Sequence, residues 1–364
     1  YEIMPSLVGS EMCIRDSKEA FLSLPEEEIF KYFELLRKTL SGSLGKNLLN
    51  LDFPLASEQE GGTQAALLAL RDSKLKDDAL IEEFYDRVIN TYEYVGNYLI
   101  LLIHDAYDVP GKTTDGLTMD DASDTVFEYI MCCICPVNLS KPGLSYDNIN
   151  NEFHNRIRDW VVEMPETGFL FPSFNDRATD IHSTLFYSKN PEEAHSEFVE
   201  NILGCTMPLS AGTQKEAFQA LIEETLGDEV EYEVVKNIHE NLTEMIEEHK
   251  EIPEPLTLDK HQVKSLFEKS GVKEEKLTDF DKLYDAAAGE DTSLFVNNVA
   301  NVRTFEVKTP DVVVKVNPER ADLVNTLQID GKRCLVIEIN DHVEVNGITI
   351  HQGVSLEDVA DEEE

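Results

Sequence analysis

The densest mixture of catalytic residue types in this 364-residue chain lies between Arg158 and His182. It holds Arg158, Asp159, Asp176, Arg177, Asp180 and His182, together with the single tryptophan, Trp160. Asp180 and His182 stand two positions apart, so on a strand both would face one side. A carboxylate that orients an imidazole is a general-base arrangement. Arg158, Asp176, Arg177, Asp180 and His182 are therefore the candidate catalytic residues of a hydrolase-like chemistry. No G-x-S-x-G nucleophile turn accompanies them. The competing expectation is a polar network that ties loops to a sheet edge through local Arg–Asp pairs.

Other motifs stop short of a known chemistry. Cys132-Cys133-Ile134-Cys135 offers soft thiolate ligands. The run lies in an apolar strand, however, with Cys133 and Cys135 on one face and Cys132 on the other. No second pair stands at metal-site spacing, so these read as structural cysteines. His239-Glu240-Asn241-Leu242-Thr243 misses the zinc-protease pattern, because Thr243 occupies the place of the second His; a solvated helix face is expected. Gly42-x-x-Gly45-Lys46 lacks the spacing of a phosphate loop, and Asn47 follows where Ser or Thr is needed. No metal and no cofactor is expected. Lys260, Lys264, Lys269 and Lys273 form the one local enrichment of positive charge, interrupted by Glu268, Glu274 and Glu275. A solvated face is favoured there over a nucleic-acid contact.

Charge supports that preference. Asp and Glu number 72 against 31 Lys and Arg, a formal net charge of −41. Such a field repels phosphate backbones and anionic lipid. It fits an acidic cytoplasmic protein or one that binds a basic partner, so a protein partner is expected ahead of nucleic acid, and no membrane. The most apolar run, Tyr98–Ile103, is far short of the ~20 residues a membrane helix needs.

The first 17 residues read differently. Leu7–Ser17 back-translates to a transposase adapter used in short-read sequencing, and Tyr1-Glu2-Ile3 to the end of its primer. Residues 1–17 are therefore expected to be a non-native, adapter-derived segment that packs on nothing, with the first native element upstream of Lys18. Without Glu2, Glu11, Asp16 and Arg15, which carry two net negative charges, the remainder stands at −39. Without Cys13, five cysteines remain (Cys132, Cys133, Cys135, Cys205 and Cys334), odd in number and unevenly spaced. That argues for a reducing cytoplasm rather than a disulfide framework.

The elements that must position these residues follow from period and punctuation. Pro25 with Glu26–Glu28 starts a helix that ends by Gly42, and a second runs from about Asp78 to Tyr94. Asn97–Asp105 and Thr125–Cys135 read as two neighbouring strands. Asp159–Met164, Gly168–Phe171 and Asp180–Tyr187 are further strand candidates. Asn190 with Pro191 is expected to cap a helix to Leu203, and Thr213-x-x-Glu216 to open another as a capping box. Val230–Lys250 is a longer acidic helix, followed by short helices over about 258–269 and 274–288. After Gly289 the pattern reads as strand throughout, with hairpins at Asp330-Gly331 and Asn346-Gly347. No internal repeat is visible.

The expected fold class is α+β, with a helical plus mixed or antiparallel sheet region, central helices and a small β-rich C-terminal module. The expected divisions are 1–17 non-native, 18–204 α+β, 205–289 helical, 290–353 β-rich, and 354–364 an acidic disordered tail.

Several long stretches carry a resemblance: "EAFLSLPEEEIFKYFELLRKTLSGSLGKNLLN", "YVGNYLILLIHDAYDVPGK", "CPVNLSKPGLSY", "RIRDWVVEMPETGFLFPSFNDRATDIHS" and "FEVKTPDVVVKVNPERADLV". Through them the chain resembles, over about residues 18–352, bacterial domain-of-unknown-function family 4317 of clostridia-type Gram-positive organisms. That family implies no mechanism. The order of elements is also similar to that of the bacterial nucleoid-associated protein family, through an F-x-x-x-x-L-G helix end (Phe198…Leu203-Gly204), a capped helix and a β-rich C-terminus. This second likeness implies chromosome association through a partner or a local patch. A non-enzymatic interaction protein, with nucleoid association as its sharper form, is thus expected ahead of the hydrolase-like alternative.

Overall fold

A computed structural model of the chain describes residues 2–8, 13–14, 24–109, 111–112, 118–119, 125–175, 178–193, 195–227, 230–252, 254–301, 304–339, 343–345 and 348–350. The fold is α+β, with 37% helix and 31% strand. Contacts divide it into two compact units, residues 1–213 and 214–364.

Unit 1 is organised around one antiparallel sheet. Its strands are β1 (Glu2–Val8), β2 (Cys13–Ile14), β3 (Leu48–Asp52), β4 (Asn97–Val109), β5 (Thr125–Leu139), β6 (Trp160–Val162), β7 (Thr167–Phe171) and β8 (Ser183–Ser188), in the order β2-β1-β4-β5-β7-β8-β3 with β6 also paired to β5. The two neighbouring strands expected from the apolar runs are β4 and β5. They pair without interruption from Asn97↔Val137 to Val109↔Thr125. Their apolar runs are continuous rather than alternating because helices cover both faces. On one face Ile100, Leu102, Ile130, Cys132 and Ile134 pack with Leu67 and Leu70 of α2 (Thr63–Asp72) and with Ile81, Phe84 and Val88 of α3 (Asp78–Thr91). On the other, Leu101, Ile103, Met131, Cys133 and Cys135 pack with Leu36 of α1 (Glu26–Thr39). Helix α1 carries Glu26–Glu28 in its first turn and Arg37 and Lys38 in its last, the arrangement that complements the helix dipole. Helix α2 follows no side-chain cap and was not among the expected elements.

Three expectations are corrected in unit 1. The segment expected to pack on nothing, residues 1–17, is paired where it is described: β1 pairs with β4 from Glu2↔His104 to Val8↔Tyr98, and Ser6 is fully buried. An apolar strand such as β4 presents a row of backbone groups that an extended segment satisfies. Asn190 does not cap a helix. Its side chain accepts the Glu192 N–H at 3.4 Å, and the helical turn starts only at Ser196, after His195 in a left-handed conformation (φ 47°). Thr213 does not open a capping box, because α4 (Ala211–Leu226) begins before it. Ser210 is the residue that accepts the Thr213 N–H, at 3.1 Å.

Unit 2 builds its core from α4, α5 (Tyr232–Glu248), α6 (Lys260–Lys269) and α7 (Phe280–Ala287). Phe267 links Phe218 and Phe280, with ring centroids 6.0 and 5.3 Å away. Helix α6 opens with a reciprocal capping box between Asp259 and Gln262. Two hairpins follow, Phe305–Lys308 with Val313–Val316 and Val324–Ile329 with Lys332–Ile337. Asp330 (φ 50°) and Gly331 (φ 74°) make the second turn, as the Asp-Gly pair predicts. The region is not strand throughout. A short helix at Val296–Val299 and a 3-10 turn at Pro318–Leu323 interrupt it, the latter because the Asn317 side chain accepts the Glu319 N–H ahead of Pro318. The Asn346-Gly347 turn and the 354–364 tail lie outside the described residues. Among the described residues no helix is long and apolar enough to cross a membrane.

Candidate functional site

The cluster singled out by residue type does not assemble as expected. Asp180 ends a three-residue strand, Ala178–Asp180, and His182 sits in the following turn. The reason is local: the Asp180 carboxylate accepts the His182 backbone N–H at 3.0 Å and turns the chain. The same carboxylate accepts Asn175 Nδ2 and Ser183 Oγ, each at 2.8 Å. Partial burial pulls its pKa upward, but these hydrogen bonds outweigh that and hold it below the usual carboxylate range. The His182 ring instead meets Glu58, with Nδ1 2.6 Å from Oε1. That bond and the Glu58 charge raise its pKa. Arg158 donates to the Ser140 carbonyl at 2.6 Å and the Leu139 carbonyl at 3.3 Å, anchoring the chain before β6 to the end of β5. Asp176 and Arg177 lie outside the described residues.

The other motifs are placed as follows. Cys132 is buried on one face of the sheet and Cys133 and Cys135 on the other, as a period of two requires. Burial lifts the Cys132 thiol well above its ordinary range, and neighbouring Cys133 adds to that. Such thiols are inert. Among the described residues no group of three or more His, Cys, Asp or Glu could hold a metal ion. Lys260 is ion-paired with Asp285, and Lys264 stands 3.8 Å from Asp281, both acids on α7. His239 is not on a solvated face; it is half-buried, its ring centroid 6.3 Å from that of Phe305.

The structure assembles a different site in unit 1. A cavity of about 550 Å³ opens between the end of α3 and the segment 191–210. Tyr92 and Phe198, both buried, supply aromatic floor with ring centroids 6.2 Å apart. His195 stands over Tyr92 at 4.9 Å. Glu93, Glu193 and Glu197 are exposed carboxylates at the mouth. Glu192 also lines it, but is committed: its two oxygens accept the Gly212 N–H at 3.0 Å and Ser210 Oγ at 2.9 Å. A second cavity of about 250 Å³ shares Glu193 and His195 and adds Glu166 and Lys189.

Position here depends on local backbone irregularity. His195 holds φ 47°, uncommon for a residue with a side chain. The chain then passes through Ser196–Phe198 into a π-helical turn, Val199–Leu203, closed by Gly204 at φ 71°. Turns of this kind recur at functional sites. Burial lowers the His195 pKa, opposed in part by the charges of Glu166 and Glu193, so the imidazole is neutral at pH 7. Among the described residues it makes no side-chain hydrogen bond. A neutral imidazole, aromatic faces and several carboxylates together suit a cation: the rings attract it through their quadrupoles and the acids through charge.

Residue-type reasoning missed this site, since it placed His195 inside a regular helix. The signal present was Glu192, Glu193 and Glu197 flanking a His just after Asn-Pro.

The histidines carry a pH prediction. The pKa of His195 is lowered by burial, and that of His239 by burial and then by the Lys215 charge, whereas that of His182 is raised. In an NMR titration the ring protons of His195 and His239 move below pH ~6.5 and those of His182 above it. For the first two the unfolded chain takes up protons first as pH falls. The contribution of His195 and His239 to stability is therefore full above pH ~6.5 and declines on acidification until their folded pKa values are passed, whereas that of His182 is lost as pH rises through its raised pKa. Titration at the ordinary value contradicts the burial described for His195 and His239 and the Glu58 contact described for His182.

A described architecture of one eight-stranded antiparallel sheet with helices on both faces, followed by a helical and hairpin unit, defines an α+β protein with an acidic, aromatic-floored cleft. The chain belongs to the family described as a domain of unknown function, DUF4317, whose model matches residues 7–348. That match begins inside the segment attributed to adapter sequence. No curated protein matches the chain.

Proposed function

We propose that this chain is a non-enzymatic interaction protein of the bacterial cytoplasm that takes a basic segment of a partner protein into the His195 cleft. The observation that carries this reading is the cleft itself, with Tyr92 and Phe198 beneath and Glu93, Glu193 and Glu197 at its mouth. The acidic balance, −41, steers a basic partner toward it. Cys132, Cys133, Cys135, Cys205 and Cys334 are free, the first four buried, which supports a reducing compartment. Chromosome association, the sharper form of this reading, runs through a basic DNA-binding partner rather than through DNA itself. The Lys260 and Lys264 charges, already met by Asp285 and Asp281, give direct DNA contact less support. The hydrolase-like alternative has less support because Asp180 bonds Asn175, Ser183 and the His182 backbone N–H rather than the His182 ring, which meets Glu58.

A tetra-arginine peptide titrated into the protein tests the proposal. Binding is expected at low salt and weakens as salt rises. Glu193→Gln with Glu197→Gln removes two exposed charges, each worth about 0.2–1 kcal/mol, so affinity falls about 2- to 30-fold. No peptide binding at low salt, or binding indifferent to the double variant, defeats the reading. Duplex DNA binding by the protein alone at low salt shifts it to direct nucleic-acid contact.

A further inference from the structure

Unit 2 contains a groove of about 650 Å³ whose lining reverses the charge balance of the chain. Among the described residues Lys215, Lys236, Lys308 and Arg333 line it, against two carboxylates, Glu240 and Glu306. Over the whole sequence acids outnumber bases by 72 to 31. Glu306 is further occupied by Lys315, 3.1 Å away.

Lys236 is the unusual member. Its side chain is only 9% exposed, yet its nearest carboxylate, Glu240, is 4.0 Å away. Among the described residues its one close partner is a neutral oxygen, Asn325 Oδ1, at 3.1 Å. An ammonium carries three donors, and a buried cation is normally met by a counter-charge at hydrogen-bond distance. Lys236 is thus a buried cation with donors to spare on the wall of a groove where cations predominate. The same groove offers flat apolar surface: the Phe305 ring lies 6.4 Å from Tyr232 and 6.3 Å from His239, centroid to centroid.

We propose that this groove binds a small phosphomonoester carried on a flat body, a nucleoside monophosphate in chemical class, with its phosphate on Lys236 and its base against Phe305. The charges match: among the described residues four cations less two carboxylates leave +2 in the lining, and a phosphomonoester carries about −1.5 to −2 at pH 7. The volume also lies in the range of small-ligand sites, about 300–1,000 Å³. This site is independent of the His195 cleft, which lies in the other unit.

Calorimetric titration of the full chain with AMP, adenosine, inorganic phosphate and a single-stranded oligo-dT tests it. AMP binds, and adenosine binds at least tenfold more weakly. Lys236→Met keeps the aliphatic packing and weakens AMP at least tenfold. Lys308→Gln and Arg333→Gln, both exposed, weaken it about threefold each while far-UV circular dichroism is unchanged. If Lys236→Met fails to fold, these two surface variants decide the question. The proposal is overturned if AMP does not bind, if adenosine binds as well as AMP, or if the folded Lys and Arg variants bind AMP unchanged. Oligo-dT binding without AMP binding also overturns it, in favour of a nucleic-acid surface.

Discussion

Gly168→Ala destabilises unit 1 by about 3 kcal/mol, the upper end of overpacking in a filled core. Gly168 sits in β7, opposite Cys133 of β5 and Tyr187 of β8. A Cβ there would stand 2.4 Å from the Cys132 carbonyl oxygen and 2.6 Å from Thr39 Cγ2. Neither neighbour can retreat easily. The carbonyl belongs to a strand held on both sides, and Thr39 is buried with its hydroxyl donating to the Leu35 carbonyl at 3.1 Å. The residue is glycine because the end of α1 approaches the sheet backbone here. Urea denaturation reads the effect as a lower midpoint at unchanged slope. A loss below about 0.5 kcal/mol, the range of an ordinary surface change, rules out this close approach.

Phe198→Ala costs about 3–5 kcal/mol, the usual loss for a buried aromatic truncated to alanine. Phe198 is 1% exposed, and its ring meets those of Tyr92, Phe169 and Phe186 at 6.2–6.3 Å. It lies under the cleft as well as in the core, so the same change also weakens tetra-arginine binding. Phe198→Leu keeps most of the volume and costs under about 1.5 kcal/mol, leaving a folded protein in which the peptide affinity can be read alone. Equal peptide affinity in that variant and the parent removes Phe198 from the binding floor.

Much of the fold was legible because it is specified locally. Acids after Pro25 placed α1, and the apolar runs around Leu101 and Cys133 placed β4 and β5. Asp330-Gly331 placed a hairpin because few residue pairs tolerate two left-handed positions. Errors arose where a local signal met competition. Asn190-Pro191 is a good helix start, yet the Asn190 side chain closes a turn and Glu192 is drawn to the start of α4. Asp180 and His182 fit a strand period, but an aspartate that bonds the N–H two residues on ends the strand instead.

By itself the sequence determined the α+β class, the central strands, most helices, the acidic surface and the family. Each of these follows from neighbours along the chain or from composition. Only the tertiary structure decided which charged and aromatic groups meet. It set His195 over Tyr92, gave Asp285 to Lys260, and buried Lys236 beside Asn325. These pairs are distant along the chain and carry no period. Their interaction exists only because packed elements exclude water and hold them within a few ångströms.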